Sequence, residues 1–136
     1  MSGETILIVD DHPQNLRLAR LLLESEGYSV HTAVDAESAL GELSQHRPQL
    51  VLMDVQLPGM DGLMLTRLLK ADPRFADVPI LALTANAMKD DEARARAAGC
   101  DGYVAKPMDV DRLLATISRL LHGSAGAANG EMGDPT

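Results

Sequence analysis

Short aliphatic runs alternate with stretches of helical periodicity along nearly the whole chain, and that rhythm leaves few folds open. Ile6-Leu7-Ile8-Val9 is a continuous apolar run ended by Asp10-Asp11, which reads as a strand buried on both faces. Pro13 then opens a helix with Leu16, Ala19, Leu22 and Leu23 on one side, and Gly27 is placed to end it. Ser29–Ala33 reads as a weaker, edge-like strand. Asp35 can cap the next helix, whose Ala36, Ala39, Leu40 and Leu43 recur at helical spacing until Pro48. The second half repeats the pattern. Leu50–Met53 is a buried strand ended by Asp54, and after the Leu57-Pro58-Gly59 loop comes a helix with Leu65, Leu68 and Leu69 expected inward, closed near Pro73. Ile80–Leu83 is a fourth strand ended by Thr84. The stretch 86–98 is helix-prone but its apolar residues are nearly all alanines, and Gly99 stops it. Gly102–Ala105 is a short fifth strand, and Asp109 can cap a last helix with Leu113, Leu114, Ile117 and Leu120 inward. Strands and helices in strict alternation predict an α/β sandwich on a parallel sheet, with right-handed crossovers placing helices on both faces.

Length and composition narrow the function. A chain of 136 residues has room for one ordinary domain. From residue 123 the sequence turns Gly/Ala-rich and aperiodic, so the expected organisation is one domain over 1–122 and a disordered tail over 123–136. A formal charge of −8 argues against a nucleic-acid face, which needs clustered Lys and Arg, and the three aromatic residues (Tyr28, Phe75 and Tyr103) argue against base stacking. No apolar run reaches the length of a membrane helix, and the first residues carry no signal region. A single cysteine, Cys100, excludes an internal disulfide and fits the cytoplasm; after Gly99 it reads as a small packing residue. The four histidines show no metal-binding spacing and are expected on the surface.

In open parallel sheets the ligand crevice lies beyond the carboxyl ends of the strands. Those ends carry Asp10-Asp11, Asp54, Thr84 and Lys106: three carboxylates, a hydroxyl and an ammonium. Two unit charges ~4 Å apart repel by roughly 4 kcal/mol at an effective dielectric near 20, so three gathered carboxylates call for a cation. Hard oxygen donors with open positions suit Mg²⁺. A carboxylate nucleophile, a divalent metal, a fixed ammonium and a hydroxyl donor are the parts of phosphoryl transfer. Asp54, ending the strand expected at the centre, is the best candidate to attack. Taken singly, each residue has a plainer reading: Asp10 or Asp11 as a helix cap, Asp54 as a turn residue, Thr84 as a capping hydroxyl, Lys106 as a solvated charge. Their convergence from four strand ends weakens those readings.

These residues resemble the receiver domain of two-component response regulators. The likeness runs from about Thr5 to Leu121 and rests on Ile6–Asp11, on Leu52-Met53-Asp54 through Asp61-Gly62, on Leu83-Thr84-Ala85 and on Lys106-Pro107. It implies a flavodoxin-like (βα)5 fold with strand order 2-1-3-4-5 and a phosphoacceptor switch. By the family pattern Asp54 takes a phosphoryl group from a sensor histidine kinase or phosphotransfer protein. Asp10, Asp11, Asp54 and the carbonyl of Gln56 would hold Mg²⁺, and Thr84 and Lys106 would contact the phosphoryl oxygens. Tyr103 falls where receivers carry their switch aromatic, so the surface around 86–108 is expected to change and to bind a downstream protein. The stretch 84–92 with Gly99-Cys100 looks like the DivK-type stand-alone regulators, and also like receivers of hybrid kinases. No output domain follows Leu121, which favours a single-domain regulator, monomeric or weakly dimeric, over a module of a larger protein. A phosphorylation-independent pseudo-receiver would lack one of these residues, and none is missing. A hydrolase is set aside because the strand-end set offers no further Asp, Glu or His beside Asp54.

Overall fold

The computed structural model describes residues 4–55, 57, 59–84, 89–105 and 110–123, with side chains for all of these except 89–91, 122 and 123. Five parallel strands form one sheet: β1 (Thr5–Val9), β2 (Ser29–Ala33), β3 (Leu50–Asp54), β4 (Ile80–Thr84) and β5 (Gly102–Ala105), in the order β2-β1-β3-β4-β5. The helices are α1 (Pro13–Ser25), α2 (Ala36–Gln45), α3 (Gly62–Ala71), α4 (Lys89–Ala98) and α5 (Val110–Ser118), the last continued by a π-helical turn over Arg119–Gly123. The expected fold is the observed one. The start of the fourth helix at 86–88 and the cap at Asp109 lie outside the described residues.

Burial follows the two-residue period of the strands. Leu7, Val9, Val51, Met53, Ile80 and Ala82 point to the face covered by α2, α3 and α4. Ile6, Ile8, Leu50, Leu52, Leu81 and Leu83 point to the other, where Ala19 and Leu23 of α1 and Leu113 and Ile117 of α5 meet them. This two-sided burial explains why the strands read as unbroken aliphatic runs. Local chemistry sets the helix ends. Asp35 accepts from Ser38 N at 2.7 Å and Asp61 from Met64 N at 2.8 Å, each capping the helix that follows. Gly27 and Gly99, with φ of 94° and 107°, take the left-handed conformation just past α1 and α4.

One inward assignment, Leu68, is corrected, and Leu40 of the apolar set in α2 is likewise exposed. Leu40 is 43% exposed and Leu68 49% exposed. In α2 the buried stripe is Ala36, Ala39 and Leu43, and Leu40 lies to its side. In α3 it is Gly62, Leu63, Leu65, Thr66 and Leu69, which turns Leu68 outward. Helix α4 buries only alanines among its described side chains, Ala95 and Ala98, as its composition foretold.

Candidate functional site

The chain leaves β1 for the edge strand β2 and returns to β3 on the other side of β1, so the strand order switches between β1 and β3. That switch opens the crevice at the carboxyl ends of these two strands. Asp10 follows β1, its backbone N–H bonded to Ala33 O at 3.0 Å, and it is 1% exposed. Asp54 is the last residue of β3 and 2% exposed; the next amide, Val55 N, donates to Leu83 O at 3.0 Å. Thr84 ends β4, also 2% exposed. Val9 pairs with Met53 and Asp54 with Leu83, so the three ends lie in step. Asp11 is partly exposed beside them.

The plainer readings of Asp10, Asp11, Asp54 and Thr84 fail here. The N-cap of α1 is His12, with no side-chain capping bond, so neither Asp10 nor Asp11 serves that role. Asp54 and Thr84 are buried strand residues rather than turn or cap residues. One oxygen from each of Asp10, Asp11 and Asp54, together with a ring nitrogen of His12, lies within 4.8 Å of the others. Carboxylates so gathered in a partly desolvated crevice repel one another unless a cation stands between them. Asp11 Oδ1 is buried and, apart from the His12 ring nitrogen 3.1 Å away, has no hydrogen-bond partner, which an oxygen-seeking cation would supply.

His12 was not foreseen. Its backbone N–H donates to Asp10 Oδ1 at 2.9 Å, and its Nδ1 lies 3.1 Å from Asp10 Oδ1, 3.1 Å from Asp11 Oδ1 and 4.0 Å from Asp54 Oδ2. The expectation that no acid–base side chain stands beside Asp54 is therefore corrected. The signal was its direct succession to Asp10-Asp11 at a strand end. His46 is exposed and His31 partly exposed, in keeping with the surface expected for the histidines, but sequence spacing did not show that the two meet at Glu42 on the sheet edge. Tyr103, on β5, is partly buried against the core of the α4 face. Gln56, Ala85 and Lys106 lie outside the described residues.

Cys100 is the packing residue expected: it is buried, with Sγ 3.9 Å from Thr66 Oγ1. Burial, only partly offset by the Thr66 hydroxyl, pushes its thiol up to about 11. A thiol reagent at pH about 8 is therefore expected to label Cys100 only as fast as the native structure opens. Immediate stoichiometric labelling of folded protein would contradict that burial.

Residues 6–118 match the response regulator receiver domain family. The chain is 42% identical over 118 residues to the polar-differentiation response regulator DivK of Brucella anthropi, covering 87% of this chain and 96% of that protein. Among solved structures, the chemotaxis response regulator CheY4 of Vibrio cholerae superposes with a TM-score of 0.83 at 28% identity, covering 88% of this chain and all (100%) of that one. The receiver domain of a sensor histidine kinase from Pseudomonas aeruginosa, described with a magnesium ion coordinated in its active-site cleft, gives 0.81 at 36% identity, covering 88% of this chain and 98% of that one.

Proposed function

The chain belongs to the response regulator receiver domain family, and from that premise we propose that it is a phosphorylation-controlled, protein-binding switch with Asp54 as phosphoacceptor. The observation that carries this reading is the placing of Asp54 as a buried carboxylate at the end of the central strand, within reach of Asp10, Asp11 and His12. An Asp54 oxygen attacks the phosphorus of a phosphohistidine on a sensor kinase or phosphotransfer protein. The new O–P bond forms as the P–N bond breaks, and the imidazole leaves with a proton. The β3 backbone and the packing around it hold the attacking oxygen in place, so little orientational freedom is lost on reaction.

Receiver domains bind Mg²⁺ at an acidic site, and the donor set here fits that ion: hard carboxylate oxygens gathered within 4.8 Å of one another, one of them, Asp11 Oδ1, buried. Asp10, Asp11 and Asp54 would hold it, with the Gln56 carbonyl added on sequence grounds. Bound magnesium supplies positive charge opposite the phosphoryl oxygens. Thr84 is assigned the donation of its hydroxyl to one of those oxygens, and Lys106, by sequence position, a second cation.

Phosphorylation adds about −1.5 to −2 charges beside Asp10 and Asp11. Thr84 shares a sheet face with Ala82, whose register partner is Tyr103 on the neighbouring strand. Drawing Thr84 toward the phosphoryl group frees space on that face, which Tyr103 and the alanine-packed α4 border. The switch surface is accordingly assigned to residues 86–108 and the receiver unit to 1–122, with 123–136 as a tail. Its partners are a phosphodonor and a downstream protein in the cytoplasm, and the likeness to DivK over 96% of that relative favours a stand-alone regulator over a hybrid-kinase module. Among the described residues no helix is long and apolar enough to cross a membrane.

The test is intact mass after incubation with acetyl phosphate. A single phosphoryl adduct is expected with Mg²⁺ and none after chelation, since without a cation the incoming charge meets the carboxylates unscreened. Folded protein that takes no adduct under either condition would overturn the switch in favour of a phosphorylation-independent binding module.

A further inference from the structure

We infer a second metal site, for a borderline d-block cation such as Zn²⁺, formed by His31, Glu42 and His46 at the edge of the sheet. It stands independently of the phosphoacceptor reading. His31 lies on the edge strand β2 and shares the face of Ala33, against which α2 packs. Glu42 and His46 are four residues apart, one in the last turn of α2 and the other its C-cap, so both present to the same side. The three side chains converge. His31 Nδ1 is 3.5 Å from Glu42 Oε1, and the His31 and His46 rings are stacked with centroids 4.5 Å apart and planes 20° apart. One donor atom from each residue lies within 4.8 Å of the other two.

Two imidazoles and one carboxylate are a nitrogen/oxygen set that suits zinc and its neighbours, with a position left for water. Metal–ligand bonds near 2.1 Å at tetrahedral angles place two donors on one ion ~3.4 Å apart, so the widest separation in the cluster must close by at most about 1.4 Å. His46 is exposed, and its side chain can make that adjustment without disturbing the core. The surroundings favour a cation as well. The last turn of α2 has no basic residue, and its terminal carbonyls present the negative end of the helix dipole. The whole chain carries −8.

The site is separate from the acidic crevice in place and in chemistry. His31 pairs with Leu7, three residues short of Asp10 and so roughly 10 Å along the strand. The crevice offers mainly carboxylate oxygens, which suit Mg²⁺, whereas this cluster offers two ring nitrogens. A bound ion would tie the edge strand to the end of α2 and stabilise that corner of the sheet in proportion to its occupancy.

The experiment is calorimetric titration of the untagged full chain with Zn²⁺ in excess Mg²⁺, which keeps the crevice supplied with its own cation. One site of micromolar affinity is expected. His46→Gln and Glu42→Gln should each weaken it by about tenfold or more, while His12→Gln leaves it unchanged. Zinc should also shift the imidazole resonances of His31 and His46 and raise the melting temperature by a few degrees, an effect absent in His46→Gln. An affinity unchanged in His46→Gln would overturn the site, as would one lost in His12→Gln or one no tighter than millimolar. Because His46 is exposed and Glu42 is half-exposed, neither substitution is expected to unfold the protein, and far-ultraviolet dichroism checks that directly.

Discussion

Asp54→Asn is expected to abolish the phosphoryl adduct and, at the same time, to make the magnesium-free protein more stable. The first effect follows from chemistry: a carboxamide oxygen is too weak a nucleophile to form the mixed anhydride. The second follows from crowding. Donor atoms of Asp10, Asp11 and Asp54 lie within 4.8 Å of one another, and at an effective dielectric near 20 each such pair of charges repels by roughly 3 to 4 kcal/mol. His12, when protonated, offsets part of this, and Asn keeps the shape of Asp in the buried site. A net gain of about 1–3 kcal/mol is therefore expected in urea unfolding without metal. Added Mg²⁺ should narrow the difference, because it stabilises the native form that keeps all three carboxylates. An adduct on Asp54→Asn would move the acceptor elsewhere. A less stable Asn variant without metal would mean that the carboxylate is held by compensating groups rather than strained by its neighbours.

The same physics explains what could be read in advance. β1, β3 and β4 were legible because both their faces are buried, which leaves uninterrupted aliphatic sequence. Asp10, Asp54 and Thr84 were legible because the polar residue that ends such a run in a parallel sheet arrives at the ligand edge. Leu68 was misplaced, and Leu40 lies off the buried stripe of its helix, for a different reason. A helix with apolar residues on more than one side does not state its own rotation, and here small or tightly packed neighbours (Ala39 in α2, Gly62 in α3) decided which stripe approached the sheet. His31 and His46 were missed because no local spacing joins them. They meet only through the packing of α2 on the edge strand, a tertiary fact. His12 was missed although it directly follows Asp10-Asp11, since a backbone turn brings its ring back over the carboxylates.

Gly62→Ala is expected to damage both fold and function. Gly62 begins α3, and its N–H donates to Val55 O at 3.1 Å, which draws the helix start against the end of β3. A Cβ at this position would stand 2.0 Å from the Asp54 carbonyl oxygen, 2.9 Å from its carbon and 3.0 Å from Val55 Cα. All three are backbone atoms, so no rotamer change relieves the overlap. Either α3 withdraws from the sheet or the strand end carrying Asp54 moves. The first route forfeits packing by Leu63, Leu65 and Leu69 and should cost about 3 kcal/mol or more. The second displaces the carboxylate proposed to attack, and a shift of about 1 Å is enough to slow phosphoryl transfer by about 10²-fold. Gly41→Ala is the control. It lies on the exposed side of α2 with nothing within 4 Å of its added methyl, so that substitution should stabilise the protein by roughly 0.5–1 kcal/mol and leave phosphorylation unchanged. Urea unfolding and acetyl phosphate kinetics on both variants separate the outcomes. A Gly62→Ala protein as stable and as fast as the parent would mean that α3 does not press on the strand end, and that Asp54 is positioned by the sheet alone.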